Sequence, residues 1–263
     1  MTSLNKYKII RNFTRAADKY EGHSGAQREC ALKLNAMVAN DTFSSILEIG
    51  PGTGHLTRLL LSVNGMARIT AVDISRRMAE NLASDIVSPY LSIVNADGEY
   101  FDNGEKYDLI ISNAAFQWFD DLYGALDHYA NMLNERGVLA FSIYAPGTFR
   151  ELKEALSVIF GKPISMSADN FPSMNELGRS LEEPFRKLVL ETANITVRYG
   201  SLRDLLCDIK NSGAQGPGTS GNFYFGKKAI NDMEKVFIER YGSVLATHSV
   251  IFFKGAVNDR KKP

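Results

Sequence analysis

The stretch "ILEIGPGTGHLTRLL" sets an acid and three glycines at strict alternation, Glu48, Gly50, Gly52 and Gly54, directly after a short apolar run. Glycine has no Cβ and reaches positive φ without steric penalty, so such a turn lets the main chain approach a bulky ligand closely. The N–H groups opening the next helix can receive an anionic group. Glu48, at the end of the apolar run, is placed to attract a cation such as an ammonium. Two ligands combine these demands: the pyrophosphate of a dinucleotide, and the amino-acid end of S-adenosylmethionine. The dinucleotide pattern G-x-G-x-x-G requires a third glycine where this chain has His55, so the spacing departs from it.

Asp73 closes the run "ITAVD", about twenty residues past the glycines. An acid there accepts hydrogen bonds from both ribose hydroxyls, which fits an adenosine ligand of either kind. The alternative is a cap for the helix "SRRMAENLAS", because Asp and Ser both cap well. Asp97 closes a third run in "VNADGEY", and Asn113 a fourth in "IISNAAFQWF". No Ser-His-Asp or Cys-His set is visible.

From residue 45 the chain alternates strand, turn and helix through "SSILEIG", "ARITAVD", "LSIVNAD", "YDLIISN" and "GVLAFSIY". That rhythm predicts an α/β fold with a mostly parallel sheet covered by helices on both faces. Nearly continuous apolar runs fit strands buried on both sides. Before the sheet, residues 5–19 and "SGAQRECALKLNAMV" read as two helices with a bend around His23. Ser24 and Gln27 have capping-box spacing. Beyond Tyr144, residues 147–182 read as mostly helical, followed by a long strand "FRKLVLETANITVRYG", two helices and a closing strand "LATHSVIFFKGAV". We expect one domain over 1–263: N-terminal helices over 1–40, a ligand-binding core over 41–145, an acceptor-side region over 146–256 and a polar tail over 257–263.

The E-x-G-x-G-x-G arrangement resembles the first motif of class I S-adenosylmethionine-dependent methyltransferases. The resemblance implies a Rossmann-like fold with a seven-stranded sheet, an N-terminal helical lid and a helical insertion after the fifth strand. It implies cofactor contacts from Glu48, Gly50, Gly52, Gly54, Asp73, Ile74, Met78, Asp97, Gly98 and Asn113, with Met78 near the adenine and Asp97 facing its amino group. Tyr20 and His23, on the bend before the sheet, are expected to help form a lid, with Tyr20 lining the methyl-transfer site.

Three further stretches resemble the malonyl-acyl-carrier-protein O-methyltransferases of biotin synthesis. They are "RAADKYEGHSGAQRE" with Tyr20, His23, Gln27 and Arg28; "ISNAAFQWFDDLYGAL" with Asn113, Gln117 and Trp118; and "SLRDLLCDIKNSGA" with Lys210, Gly213 and Ala214. The likeness runs from about residue 8 to about 256 and is loose over 162–182 and through "QGPGTSGNFYFGKK". Pro51, where that family often carries Cys, is a common variant. The implied reaction is methyl transfer to the free carboxylate of a malonyl thioester. A carboxylate is ionised at neutral pH and is already the nucleophile, so no general base is needed. Lys210 or Arg28 is expected to orient it. Lys210 at a helix C-terminus also fits dipole complementation, and Arg28 also fits a solvated helix charge. Gln27, Gln117 and Trp118 are candidate acceptor contacts; core packing explains a lone Trp equally well.

Lys plus Arg (30) balance Asp plus Glu (30), so net charge argues for neither a nucleic-acid nor a membrane partner. An acidic carrier protein would need a local basic patch, with Arg76, Arg77, Arg203, Lys227 and Lys228 as candidates. Malonyl-coenzyme A is a possible substitute for the carrier. With no signal-like start, no long apolar run and two cysteines far apart, Cys30 and Cys207, a reduced cytoplasmic protein is expected. Rival readings are a methyltransferase of a small carboxylic acid or other metabolite, a non-catalytic S-adenosylmethionine-binding regulator, and an NAD-dependent oxidoreductase.

Overall fold

A computed structural model describes residues 4–213 and 226–258. Its centre is a seven-stranded sheet of order β3-β2-β1-β4-β5-β7-β6. The strands are β1 (Ser45–Ile49), β2 (Arg68–Asp73), β3 (Leu91–Asn95), β4 (Tyr107–Asn113), β5 (Leu133–Tyr144), β6 (Phe185–Tyr199) and β7 (Val244–Val257). The first five pair in parallel. β7 is antiparallel to β5, and β6 antiparallel to β7. The mostly parallel Rossmann-like sheet is thus as expected.

Successive side chains on a strand face opposite ways, and two cores follow from that. Ile46, Ile69, Leu109 and Ile111 meet α2 (Gly25–Val38) and α3 (His55–Asn64) on one face. Leu47, Val72, Ile110 and Phe141 meet α5 (Leu122–Met132) and α7 (Met174–Glu182) on the other. α6 (Arg150–Phe160), α8 (Leu202–Asn211) and α9 (Lys227–Tyr241) build a third core with β7, through Leu156, Leu205, Phe237 and Ala246. α1 (Leu4–Ala16) lies against α4 (Arg76–Asp85) and α8. No helix among the described residues is long and apolar enough to cross a membrane. Cys30, buried, and Cys207, exposed, are both free thiols.

Two local expectations need correction. The Ser24–Gln27 capping box does not form: Ser24 makes no cap bond. A 3-10 turn over Tyr20–His23 feeds directly into α2, and the Ser24 hydroxyl turns back to the Glu21 carbonyl (3.2 Å) and His55 Nε2 (2.8 Å). Asp73 is not the cap of α4 either; Ser75 is, accepting from the Met78 N–H at 3.3 Å.

Candidate active site

The connections reverse direction between the adjacent strands β1 and β4, and open α/β sheets form their ligand crevice at the carboxyl ends beside such a switch. A cleft lies there. Gly50, Gly52, Asp73, Ile74, Met78, Asp97, Gly98, Asn113, Tyr20 and Trp118 line it. Ten expected residues from distant parts of the chain therefore share one wall.

The three glycines do three different jobs. At Gly50 (φ +70) a Cβ would sit 2.4 Å from the Ala115 Cβ, so this glycine lets β1 and the loop after β4 close together. At Gly54 (φ +85) a Cβ would meet Leu82 Cδ1 at 2.5 Å and Ile86 Cδ1 at 2.9 Å, so that glycine serves helix packing. At Gly52 (φ +55) the nearest atom to a Cβ is Tyr20 Cε1, at 3.7 Å. Gly52 is the glycine that leaves space for a ligand, whereas the motif alone assigns that task to all three. Its N–H donates to Asp73 Oδ2 at 3.1 Å, and the Ser75 N–H to Oδ1 at 2.8 Å. Burial pushes the Asp73 carboxyl up to about 6 despite those two bonds. Each carboxylate oxygen has a second lone pair, so Asp73 retains acceptor capacity for hydroxyls.

Glu48 is 1% exposed and lies behind the cleft wall. Its Oε2 has no hydrogen-bond partner among the described residues. Burial raises its carboxyl to about 7; the Thr57 hydroxyl opposes and the Asp73 charge adds. A buried acid with one oxygen unpartnered, behind the glycine turn, fits a ligand that carries a cation.

Sequence reasoning missed the residue beside Asp97. α1 delivers Lys6, 3% exposed, to the cleft, where its Nζ lies 2.6 Å from Asp97 Oδ2 and also bonds Glu99. Burial alone would lower the ammonium, but the hydrogen bonds to Asp97 and Glu99 outweigh it and the net shift is upward. Glu99 also accepts from the N–H groups of Asp120 (3.0 Å) and Asp121 (2.6 Å), and with Lys6 these hold its carboxyl low against burial. A lone lysine among mixed charges on α1 carries no sequence signal of this pairing.

Beyond β4, the Asn113 amide donates to the Gln27 carbonyl (3.0 Å) while its Oδ1 accepts from the Ser142 hydroxyl (2.7 Å). Ala114 follows at φ +52, a strained value for a residue with a Cβ. The Gln117 amide donates to the Ala114 carbonyl at 2.7 Å, bracing that turn from outside the cleft lining. Trp118 lines the cleft and meets Phe13 and Phe171 edge-on, at 5.9 and 5.8 Å between centroids. Phe13, another residue the motifs did not reveal, lies 6.4 Å from the Tyr20 ring. At Gly213 (φ +67) a Cβ would come within 2.7 Å of Phe13 Cδ1. The Q-W and K-x-x-G segments thus meet through one ring of α1. Ala214, the last residue of the second, lies outside the described residues.

The remaining expected residues lie off the cleft lining. His23 Nδ1 is 2.8 Å from Asp208 Oδ1 and its Nε2 is 3.1 Å from Asn211 Nδ2, so His23 ties the Tyr20 turn to α8. Lys210 is exposed in the last turn of α8, where it complements the helix dipole. Arg28 is exposed on α2 and shares a shallow groove with Glu21, His55 and Arg58. Neither cation reaches the cleft lining, so the geometry gives no support for either as the group that orients an acceptor carboxylate. Gln27 contributes its main-chain carbonyl to Asn113. Of the basic candidates, Arg76 pairs with Glu80 (2.8 Å) and Arg77 with Asp18 (3.0 Å).

The methyltransferase-domain family profile matches residues 23–182. A protein of Ilyobacter polytropus named malonyl-acyl-carrier-protein O-methyltransferase 2 is 32% identical over 254 residues, covering 95% of this chain and 97% of its own. Among solved structures, the YcgJ protein of Bacillus subtilis superposes with a TM-score of 0.60 at 16% identity, covering 88% of this chain and 99% of that one. The N-methyltransferase NodS of Bradyrhizobium japonicum superposes at 0.55 and 14% identity, covering 97% and 100%. The cleft, its glycine turn and the 32% identity over nearly the whole of both chains converge: the chain belongs to the class I methyltransferase family, among the malonyl-acyl-carrier-protein O-methyltransferases.

Proposed function

We propose that the protein transfers a methyl group from S-adenosylmethionine to the free carboxylate of a malonyl thioester carried on acyl-carrier protein, the step that the resemblance assigns to biotin synthesis. The observation that carries this reading is the meeting of the Q-W and K-x-x-G segments on Phe13 at the cleft. Those two segments are the ones that resemble the malonyl-acyl-carrier-protein O-methyltransferases in particular.

When bound, S-adenosylmethionine would supply an electrophilic methyl on a sulfonium, with a neutral thioether as its leaving group, so that an ionised carboxylate could accept the methyl without any proton transfer. The chain's own residues bind and align. Gly52 would give the cofactor room, Asp73 would accept hydrogen bonds from the ribose hydroxyls, and Met78 and Asp97, which line the same cleft, would flank the base. Glu48 adds negative charge beneath the turn, favouring the amino-acid end. Gly50 and Gly54 keep the turn in place. Tyr20 and Trp118 wall the reacting end, and His23 holds Tyr20 there through α8. Alignment of this kind supplies up to roughly 7–11 kcal/mol in favourable intramolecular reactions.

The test is a panel with labelled S-adenosylmethionine: malonyl-carrier protein, malonyl-coenzyme A and free small diacids. Saturable labelling of the carrier-bound malonyl, weakened by salt more than cofactor binding is, supports the reading. Labelling of free acids alone would move the protein to a small-molecule acceptor.

A further inference from the structure

Arg28 lies off the cleft, and its surroundings suit it to a surface role instead. It shares a groove between α2 and α3 with Arg58, Leu32, Leu59, Glu21 and His55. This groove adjoins the cleft. Tyr20 lines the cleft and the next residue, Glu21, lines the groove. Gly52 lines the cleft and His55, directly after the glycine turn, lines the groove. One partition, built from the Tyr20–His23 turn and the glycine turn, therefore has the cleft on one side and the groove on the other. The fold explains the adjacency. A helix that follows a parallel strand starts at the carboxyl end of that strand, so α3 opens at the cleft edge and carries His55 and Arg58 there. The Ser24 hydroxyl, 2.8 Å from His55 Nε2, fixes the start of α2 beside it.

The groove is amphipathic. Leu32 is 54% exposed, an unusual place for a large apolar side chain, and Leu59 is half-buried beside it. Arg28 and Arg58 are both exposed, and neither is in an ion pair among the described residues. The Arg58 Nη1 donates to the Thr53 carbonyl at 2.7 Å, which holds the guanidinium in place and leaves it further donors. Glu21, the acid in the lining, lies 3.6 Å from His55 Nε2. Burial lowers the His55 imidazole, with Glu21 opposing and Arg28 and Arg58 adding, so the ring is neutral at pH 7. Two cations then face one acid across an apolar strip.

That pattern complements a helix that shows carboxylates beside apolar residues, the arrangement of a helix laid in a groove. Arginine forks take carboxylates bidentately. A bare phosphate would make no use of the exposed leucine. The other arginine pair, Arg76 and Arg77, is already neutralised by Glu80 and Asp18.

We propose that the acyl-carrier protein docks in this groove through an acidic amphipathic helix, Arg28 and Arg58 receiving its carboxylates and Leu32 and Leu59 its apolar residues. This rests on the carrier-protein reading above and names the surface that reading requires. A carrier seated there sets the base of its acyl arm beside the Tyr20 turn, with the cleft directly across it.

Arg28→Glu and Leu32→Asp test the surface in the full chain, with Arg203→Glu, on α8 outside the groove, as a control of equal charge change. Fluorescently labelled malonyl-carrier protein is titrated with each protein in the presence of S-adenosylhomocysteine, so that no turnover is needed. Arg28→Glu and Leu32→Asp should each raise the carrier Kd at least tenfold. Arg203→Glu should stay within twofold, because charges beyond about 8 Å are largely screened at physiological salt. The S-adenosylmethionine Kd should stay within twofold in all three, which also shows that the fold is intact. A wild-type carrier Kd in both groove variants, or an equal loss in Arg203→Glu, would overturn the proposal. So would a loss of affinity for malonyl-coenzyme A alone, which would mark a nucleotide site, or a change in oligomeric mass alone, which would mark a contact between copies of this chain. Weakened carrier binding in a protein that methylates no malonyl carboxylate would uphold the docking surface while refuting the carboxyl-methylation reading.

Discussion

The Nζ of Lys6, in the first helix, lies 2.6 Å from Oδ2 of Asp97, beyond the third strand. This contact closes α1 over the end of the cleft where the adenine is expected. Lys6 also bonds Glu99, and its ammonium stands 4.8 Å from the Tyr100 ring centroid. The helix is therefore anchored by a buried ion pair, and the cleft gains a wall that its motifs do not encode.

Lys6→Met should free α1. Removing one partner of a buried charge pair typically costs about 3–5 kcal/mol, because the other charge stays buried. We expect a marked fall in Tm, loss of hydrogen-exchange protection over residues 4–16 and weaker cofactor binding. Lys6→Met combined with Glu99→Gln should recover part of the stability. Because Lys6 and the two N–H groups hold the Glu99 carboxyl below its ordinary 4.5, this contribution is complete above that pH and fades as pH falls further. Protection of α1 that is the same in wild type and Lys6→Met would contradict the anchoring role.

Glu48 predicts the opposite pH dependence. Its carboxyl rises from an ordinary 4.5 to about 7, so the folded chain holds this proton more tightly than the unfolded one. Stability from this group is full below about pH 4.5 and declines as pH rises to about 7. Asp73, raised from 3.8 to about 6, acts in the same sense. Glu48→Gln should therefore raise the ligand-free Tm at pH 8, by an amount on the order of 3 kcal/mol in stability at most, and leave it nearly unchanged at pH 4. The variant should also bind S-adenosylmethionine more weakly. Equal melting curves at pH 8 would remove the buried-charge account.

The division of labour among the glycines separates binding from folding. Gly52→Ala should weaken S-adenosylmethionine binding at least tenfold with a modest Tm loss, since its Cβ meets only the Tyr20 ring at 3.7 Å. Gly54→Ala should instead destabilise the fold, by about 1–3 kcal/mol, through strain and collision with Leu82 and Ile86. Calorimetric titration and melting of both variants decide it; a Gly54→Ala protein as stable as wild type would refute the packing role.

Trp118, the one tryptophan of the chain, lines the cleft and reports on it directly. Its fluorescence should change saturably with S-adenosylmethionine and not with NAD at the same concentration. A response to NAD alone would favour the oxidoreductase alternative.

Much of the cleft was legible because its residues sit at strand ends, where periodicity and turn chemistry both speak. The run "SILEIG" shows its strand through continuous apolarity, and the glycines after it show the turn. Asp73, Asp97 and Asn113 could be placed by counting to the next strand end. Lys6 and Phe13 could not, since their partners Asp97, Trp118 and Gly213 are fixed by tertiary packing of α1. Ser24 failed as a cap because its hydroxyl found His55, 31 residues away, a contact that local spacing does not contain. Lys210 and Arg28 were named for charge, and exposure then placed both on the surface.

The most direct measurement follows where the methyl goes. Malonyl-carrier protein incubated with the enzyme and S-adenosylmethionine bearing a carbon-13 methyl should yield a single O-methyl ester resonance. That resonance should vanish on mild ester hydrolysis. A methyl resonance on the central malonyl carbon, or none on the carrier-bound group while the cofactor is consumed, would contradict carboxyl methylation.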